Sequence, residues 1–220
     1  MAIHKKVVQP SIEWFALRAG RPTASQIEKI VTPKKLEYSA SADKYICHLL
    51  GERHSGYVEE FSSVAMEEGK RREPESRAAF SLSTKLKTED GGIYLTDDLR
   101  MAASPDALIV GGGLCEFKNP NLATHIGYDR SDGALLYSDY KLQTQMQLLV
   151  SEQDFVWLFS YHPSQEDVKI KVVRDETVIN KLKEHLKTFC DELDIAWECH
   201  KKKHNILNCE WDERFNQLKG

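Results

Sequence analysis

Residues 107–118, ALIVGGGLCEFK, set three consecutive glycines between two short apolar runs. Such a stretch admits little besides a tight antiparallel hairpin. Glycine adopts positive φ without steric cost, and the flanking runs 107–110 and 114–118 are short and rich in strand formers. Parity then follows on the second arm: Leu114, Glu116 and Lys118 share one face of the strand, and Cys115 and Phe117 take the other. Asp106, directly after Pro105, precedes the first arm, so regular pairing carries its carboxylate toward Glu116.

Around the hairpin the apolar period changes. PSIEWFALRAG (10–20) has Ile12, Phe15 and Leu17 near helical spacing and stops at Gly20. TASQIEKIV (23–31) reads as a capping box, with Ser25 as N-cap and Glu28 three residues on. Helices are expected over 42–50 and 62–81, with Pro74 kinking or restarting the second. Runs at 85–88, 92–96, 107–110 and 114–118 read as a strand meander. A helix over 138–151, strands in 154–162 and 167–175, an amphipathic helix from 176 to about 200 and a charged tail complete the chain. This order gives an α/β fold, a central mixed β-sheet flanked by helices. With no repeat or long linker, the whole of 1–220 reads as a single domain.

At 220 residues, 41% of them hydrophobic, the chain can bury a substantial core. No apolar run approaches the ~18 residues of a membrane span, and MAIHKKVVQPSIEW lacks the apolar segment of a secretory signal; a cytoplasmic, non-membrane protein is expected. The five cysteines are odd in number and never spaced as metal ligands, which predicts free thiols and disfavours an iron–sulfur centre. A net charge of −4 excludes a uniformly basic nucleic-acid binder, though not a basic channel inside an acidic exterior.

Two carboxylates converging with a lysine make a hard oxygen site suited to Mg²⁺. The lysine can position or help deprotonate a water and offset developing negative charge, which points to metal-assisted phosphodiester hydrolysis. The same residues also read as a turn aspartate and a solvated Glu–Lys pair, since short patterns of common residues recur by accident. The triple glycine lacks both GK[ST] and a following helix, so it is a turn rather than a phosphate cradle.

SPDALIVGGGLCEFK resembles the PD-(D/E)xK nuclease core, of restriction-endonuclease-like fold. With WFALRAGRPTAS, MEEGKRREPESRAAF and YKLQTQMQLLV in the same order, the chain resembles the lambda-exonuclease (YqaJ-type) viral recombinase family over about residues 14–150. The resemblance implies that Asp106, Glu116 and the Phe117 backbone carbonyl are metal ligands, that Lys118 is the catalytic lysine, and that Glu73 supports a second metal. It places Arg18, Ser25, Ser104 and Gln143 in a pocket for a 5′-phosphate. Each has a plainer reading: Arg18 complements a helix dipole, Ser25 is an N-cap, and Gln143, Gln145 and Gln147 form a wet helix face. Gln143 and Gln147 share a face, while Gln145 points away. One departure stands out. The family's acidic residue before SPD falls here on Thr96, with Asp97 and Asp98 following.

The resemblance implies an enzyme: a 5′→3′ exonuclease on linear double-stranded DNA, with two Mg²⁺ per site, for which Mn²⁺ can substitute. It would release mononucleotides and leave a 3′ tail for a single-strand annealing protein. It further implies a ring-shaped homotrimer threaded by DNA, with HKK (4–6), KRR (70–72) and KKKH (201–204) as candidate bore residues. The alternatives are another PD-(D/E)xK endonuclease and a non-catalytic DNA-end-binding protein. The intact Asp106/Glu116/Lys118 set opposes the latter.

Overall fold

The short strands in the middle of the chain are shared between two sheets rather than forming one meander. The computed structural model describes residues 2–58, 64–207 and 209–219. Strands β1 (Ile3–Lys5), β3 (Ile93–Leu95) and β4 (Ala102–Ala103) make a small antiparallel sheet. A larger sheet takes the order β2 (Thr88–Asp90), β5 (Ala107–Ile109), β6 (Leu114–Lys118), β7 (Phe155–Ser160), β8 (Val168–Val173). The chain leaves one sheet for the other at Gly91 and Gly92, which is why residues 85–96 pair with two different neighbours.

In the larger sheet β6 and β7 run parallel and the other pairs antiparallel, so the sheet is mixed. A parallel neighbour needs a crossover, which α4 (Leu122–Arg130) and α5 (Ala134–Ser151) supply. Helix α4 has no amphipathic stripe and is not expected from sequence. It is started by Asn121, whose side chain accepts the Thr124 N–H.

Parity on β6 is as expected. Leu114 joins the main core with Val156 and Leu158, while Cys115 and Phe117 face a second cluster built on Phe80 and Phe159. The Phe80 ring meets Phe117 and Phe159 edge to face at 5.9 and 5.4 Å. Helix α3 (Val64–Thr84) thus covers one face of the sheet, and α5, backed by α6 (Glu176–His204), covers the other. Helix α3 runs through Pro74 without interruption; residues 62 and 63 of the expected helix lie outside the described residues. The Asn119 amide, next to Lys118, donates to the Gly69 carbonyl of this helix at 3.0 Å.

Two further corrections bear on the site. Residues 24–29 are a 3₁₀ turn, Ala24–Lys29, and its N-cap is Thr23 rather than Ser25. The Ser25 hydroxyl, 3.4 Å from that of Thr23, is not used in capping. The expected charged tail is a helix, α7 (Glu210–Lys219), whose buried Trp211 donates to the Ala19 carbonyl at 2.8 Å. Under it lies Arg21, buried beside the stacked Trp211 and Phe215 rings and donating to the Leu99 carbonyl at 2.7 Å. Burial, with Arg53 and Arg214 nearby, brings its pKa down to about 10. The end of α1 (Ile12–Arg18) is thereby locked in place.

Helix α2 (Ala42–Ser55) carries Gly51, where a methyl group meets nothing within 4 Å. Gly51→Ala is expected to stabilise the protein by about 0.5–1 kcal/mol, read as a rise of a few degrees in Tm. The five cysteines are all free. Among the described residues no helix is long and apolar enough to cross a membrane.

Candidate active site

The hairpin register pairs Ala107 with Cys115 and Leu108 with Leu114, and Gly111, Gly112 and Gly113 close it at φ of 102°, 117° and 94°. Ile109 N–H donates to Gly113 O at 3.0 Å. Hydrogen-bonded pairs recur every two residues, so Ala107/Cys115 comes next and Pro105/Phe117 after it. Asp106 and Glu116 fall between these, at the non-hydrogen-bonded position where side chains approach most closely. Pro105 has no N–H to give the Phe117 carbonyl, and the Phe117 N–H goes instead to Asp106 Oδ2 at 2.6 Å. The Pro–Asp step therefore ends the ladder, leaving a carboxylate and a backbone carbonyl on the same edge of β6.

Glu116 is 4% exposed, in line with buried Leu114. A buried carboxylate is tolerable only when hydrogen-bonded, and three donors surround it. Lys118 Nζ lies at 2.8 Å and Gln143 Nε2 at 2.5 Å from Oε1, and Gln147 Nε2 at 2.6 Å from Oε2. Lys118 also sits 4.2 Å over the Tyr140 ring and 3.4 Å from Gln143 Oε1. Burial pulls the Lys118 pKa down, but Glu116, Asp106 and Tyr140 outweigh it and raise it overall, so the ammonium is charged. Asp106 is pushed well above the usual carboxylate range, first by burial and then by Glu116 and Glu73, against Lys118 and the Phe117 N–H. Glu73, on α3, is raised by burial and by Glu116 and Asp90, although Arg77 opposes the shift. Negative charge is thus concentrated beyond what the local cations neutralise.

On the other side of Asp106, the Ser104 hydroxyl accepts from Trp14 Nε1 at 3.1 Å and Arg18 Nη1 at 3.4 Å, with the Arg18 guanidinium 4.3 Å over the Trp14 ring. Ser25 and Gln143 line one cleft of about 400 Å³ together with Tyr140 and Lys29. Arg18 and Ser104 are therefore brought into direct contact, Ser25 and Gln143 along a shared wall, and Gln143 joins that wall to Glu116. Gln145 points away, donating to Val173 O at 2.9 Å.

Asp98 is spent on its own turn, accepting from Thr96 Oγ1 at 2.6 Å and Arg100 N at 3.1 Å, and Asp97 accepts the Asp98 N–H at 3.0 Å. Of the basic runs, His4 stacks on Tyr94 at 4.3 Å, Arg71 and Arg72 pair with Glu68, and Lys201 pairs with Glu198 and Asp212. The Lys70 side chain lies outside the described residues.

Two contributors escape the sequence reading. Arg77 donates to the Asp106 carbonyl at 2.9 Å and lies 3.5 Å from both Glu73 and Asp90. Trp14 holds Arg18 and Ser104 together. Each stands four residues from a site residue on the same helix, and that i,i+4 spacing is the signal that could have found them.

Among the described residues no three His, Cys, Asp or Glu side chains are gathered closely enough to hold a metal by themselves. Mg²⁺ asks for less, one or two carboxylates with waters and substrate phosphate oxygens filling the rest. Asp106, Glu116 and the Phe117 carbonyl fit that donor set, and the mutual repulsion of the carboxylates is what a divalent cation would relieve.

The chain is similar to solved exonuclease structures. A crystal structure of an alkaline exonuclease, LHK-Exo, from Laribacter hongkongensis superimposes with a TM-score of 0.78 at 28% identity, over 90% of this chain and 100% of that one. LHK-Exo in complex with dAMP gives 0.77 at the same identity and coverage. A phage-related exonuclease from Haemophilus somnus 129PT shares the fold, with a TM-score of 0.64 at 12% identity over 80% of this chain and 94% of that one. No curated protein matches. The YqaJ-like viral recombinase domain matches residues 13–154, which hold every side chain of the site from Trp14 to Gln147, and by that match the chain belongs to the YqaJ-like viral recombinase family.

Proposed function

We propose that the protein is a divalent-metal-dependent exonuclease that degrades linear double-stranded DNA from 5′-phosphorylated ends, releasing mononucleotides and leaving a 3′ single-stranded tail. One observation carries this reading: an Asp106–Glu116–Lys118 cluster at the open end of a hairpin, with the Arg18–Ser104 pair only two residues upstream on the same strand-like segment. Two residues of extended chain span at most about 7 Å, so a phosphate held by Arg18 and Ser104 stands one nucleotide-scale step from the carboxylates. The likeness to LHK-Exo, an alkaline exonuclease with a structure holding dAMP, supports the same reading.

The residues divide the work. Asp106, Glu116 and the Phe117 carbonyl would hold Mg²⁺, with Mn²⁺ able to replace it, and Glu73 would serve a second ion. Bound cations would supply a more acidic water and charge stabilisation at the phosphate. Lys118, kept charged by Glu116 and braced on Tyr140, orients the water and offsets negative charge. Arg18, Ser104, Ser25 and Gln143 grip the terminal phosphate by charge-assisted hydrogen bonds, which brings each new phosphodiester into register. In the same reading the protein acts as a ring-shaped homotrimer, tested by light scattering at three times 25.2 kDa, and passes its tail to a single-strand annealing protein.

The test uses linear duplex phosphorylated at one 5′ end, incubated with Mg²⁺ beside a 5′-hydroxyl duplex and a closed circle. Mononucleotides are expected from the phosphorylated strand alone, with none from the circle and none with Lys118→Ala. Arg18→Ala is expected to cost about 10–100-fold on phosphorylated ends, the worth of one charged hydrogen bond. Degradation from the 3′ end, or cutting of the circle, overturns the reading.

A further inference from the structure

Helix α5 carries two buried glutamines two residues apart, Gln145 and Gln147, each at most 1% exposed. Their bonding differs. Gln145 is satisfied at both ends, with Nε2 donating to Val173 O at 2.9 Å and Oε1 accepting from Asp175 N at 2.9 Å, so it ties α5 to the turn between β8 and α6. Gln147 gives its Nε2 to Glu116 Oε2 at 2.6 Å and leaves its own buried Oε1 with no protein partner.

An unpaired buried acceptor costs on the order of 1–3 kcal/mol, and a glutamine placed for structure alone would be expected to settle both of its ends, as Gln145 does. The orientation at Gln147 is dictated by the carboxylate: turning the amide over would set Oε1 against Glu116 and repel it. Glu116 Oε1 already receives Lys118 and Gln143, and Gln143 lines the cleft beside Tyr140. Gln147 is the donor on the other oxygen, held from inside the protein where substrate does not reach.

We infer that Gln147 is the positioning residue of the metal site, fixing the rotation of the Glu116 carboxylate that would hold the ion. The inference rests on the proposed metal-dependent reading and goes beyond it by naming what orients the ligand. Outer partners of metal-binding carboxylates typically govern affinity by about 10–100-fold. Gln147 falls one turn beyond Gln143 in the same sequence stretch, and it touches neither the Arg18–Ser104 pair nor the cleft wall.

The experiment measures Mn²⁺ binding to the full-length protein without DNA, by calorimetry and by the loss of the free-ion paramagnetic resonance signal. It compares wild type with Gln147→Met, which keeps volume and removes the amide, and with Gln145→Met, which removes an equally buried amide facing away. Gln147→Met is expected to weaken Mn²⁺ binding about 10–100-fold while retaining a cooperative melt. Gln145→Met is expected to lower Tm and leave Mn²⁺ affinity unchanged. In nuclease assays the Gln147→Met defect should appear as a raised Mg²⁺ requirement, with partial recovery of rate at high Mg²⁺. Equal Mn²⁺ affinity for Gln147→Met and wild type, or equal weakening by both variants, overturns the inference alone. A wild type that binds no Mn²⁺ overturns the metal-dependent reading and the inference with it.

Discussion

Asp106→Asn is expected to give a protein that melts higher than wild type in the absence of divalent cations and has lost at least about 10³-fold in nuclease activity. The activity loss corresponds to the several kcal/mol that cation-assisted charge stabilisation contributes. The gain in stability follows from the Asp106 pKa, which burial and the neighbouring Glu116 and Glu73 raise well above the usual range. A carboxyl that ionises later in the folded state than in the unfolded one binds an extra proton on folding. Its cost is therefore absent below about pH 4, grows as pH rises through the window up to the raised value, and is fully present above it. Asparagine keeps an oxygen for the Phe117 N–H, now met at 2.6 Å, and removes the charge. Mg²⁺ should raise the Tm of wild type and not that of the variant, since only a state that binds the ion is stabilised by it. Thermal melts across pH 4–8, with and without Mg²⁺, check this; a lower Tm for Asp106→Asn at pH 7.5 without metal would contradict it.

Gly91→Ala is expected to disable the site from the other side of the sheet. A Cβ built on Gly91 falls 1.8 Å from the Pro105 carbonyl oxygen and 3.1 Å from the Asp106 carbonyl carbon, both main-chain atoms that cannot rotate away. The Gln9 amide already grips this crossing, donating to Gly92 O at 2.6 Å and Pro105 O at 3.0 Å. One methyl group must therefore displace the Pro105–Asp106 segment from its place between residue 91 and β6. Overpacking of this kind costs about 1–3 kcal/mol, occasionally more, seen as a Tm lower by a few degrees to about 10 °C. Displacing a catalytic carboxylate by about 1 Å costs on the order of 10²-fold in rate. Measured beside Gly51→Ala, whose methyl meets open space, the contrast isolates close backbone approach from loss of glycine as such. Wild-type activity in Gly91→Ala would show that the Pro105–Asp106 segment has slack the packing does not suggest.

What could be read from the chain in advance was local. The triple glycine announces a hairpin, strand parity puts Glu116 and Lys118 on one face, and helical spacing puts Gln143 and Gln147 together, because each depends on backbone geometry within about ten residues. Where short-range signals compete, the reading failed. TASQIEKIV satisfies the capping-box pattern, yet the chain enters the turn two residues earlier, at Thr23, which also bridges to Ala102. The tail looks solvated by composition, yet Trp211 finds Ala19, 192 positions away.

The sequence by itself determined the arms of the hairpin, the identity of its two carboxylates and lysine, and, through four ordered motifs, the family. Only the tertiary structure decided how that chemistry is held: Gly91 against Pro105, Arg77 on the Asp106 carbonyl, Trp14 beneath Arg18, and Gln147 behind Glu116. Apart from Trp14's hold on Arg18, these contacts join residues 14 to 31 positions apart, and the pairings themselves carry no signal until the chain is packed. The physical reason is that spacing along a strand or helix dictates which side chains share a face, whereas the partner that meets that face is chosen by burial across the whole fold.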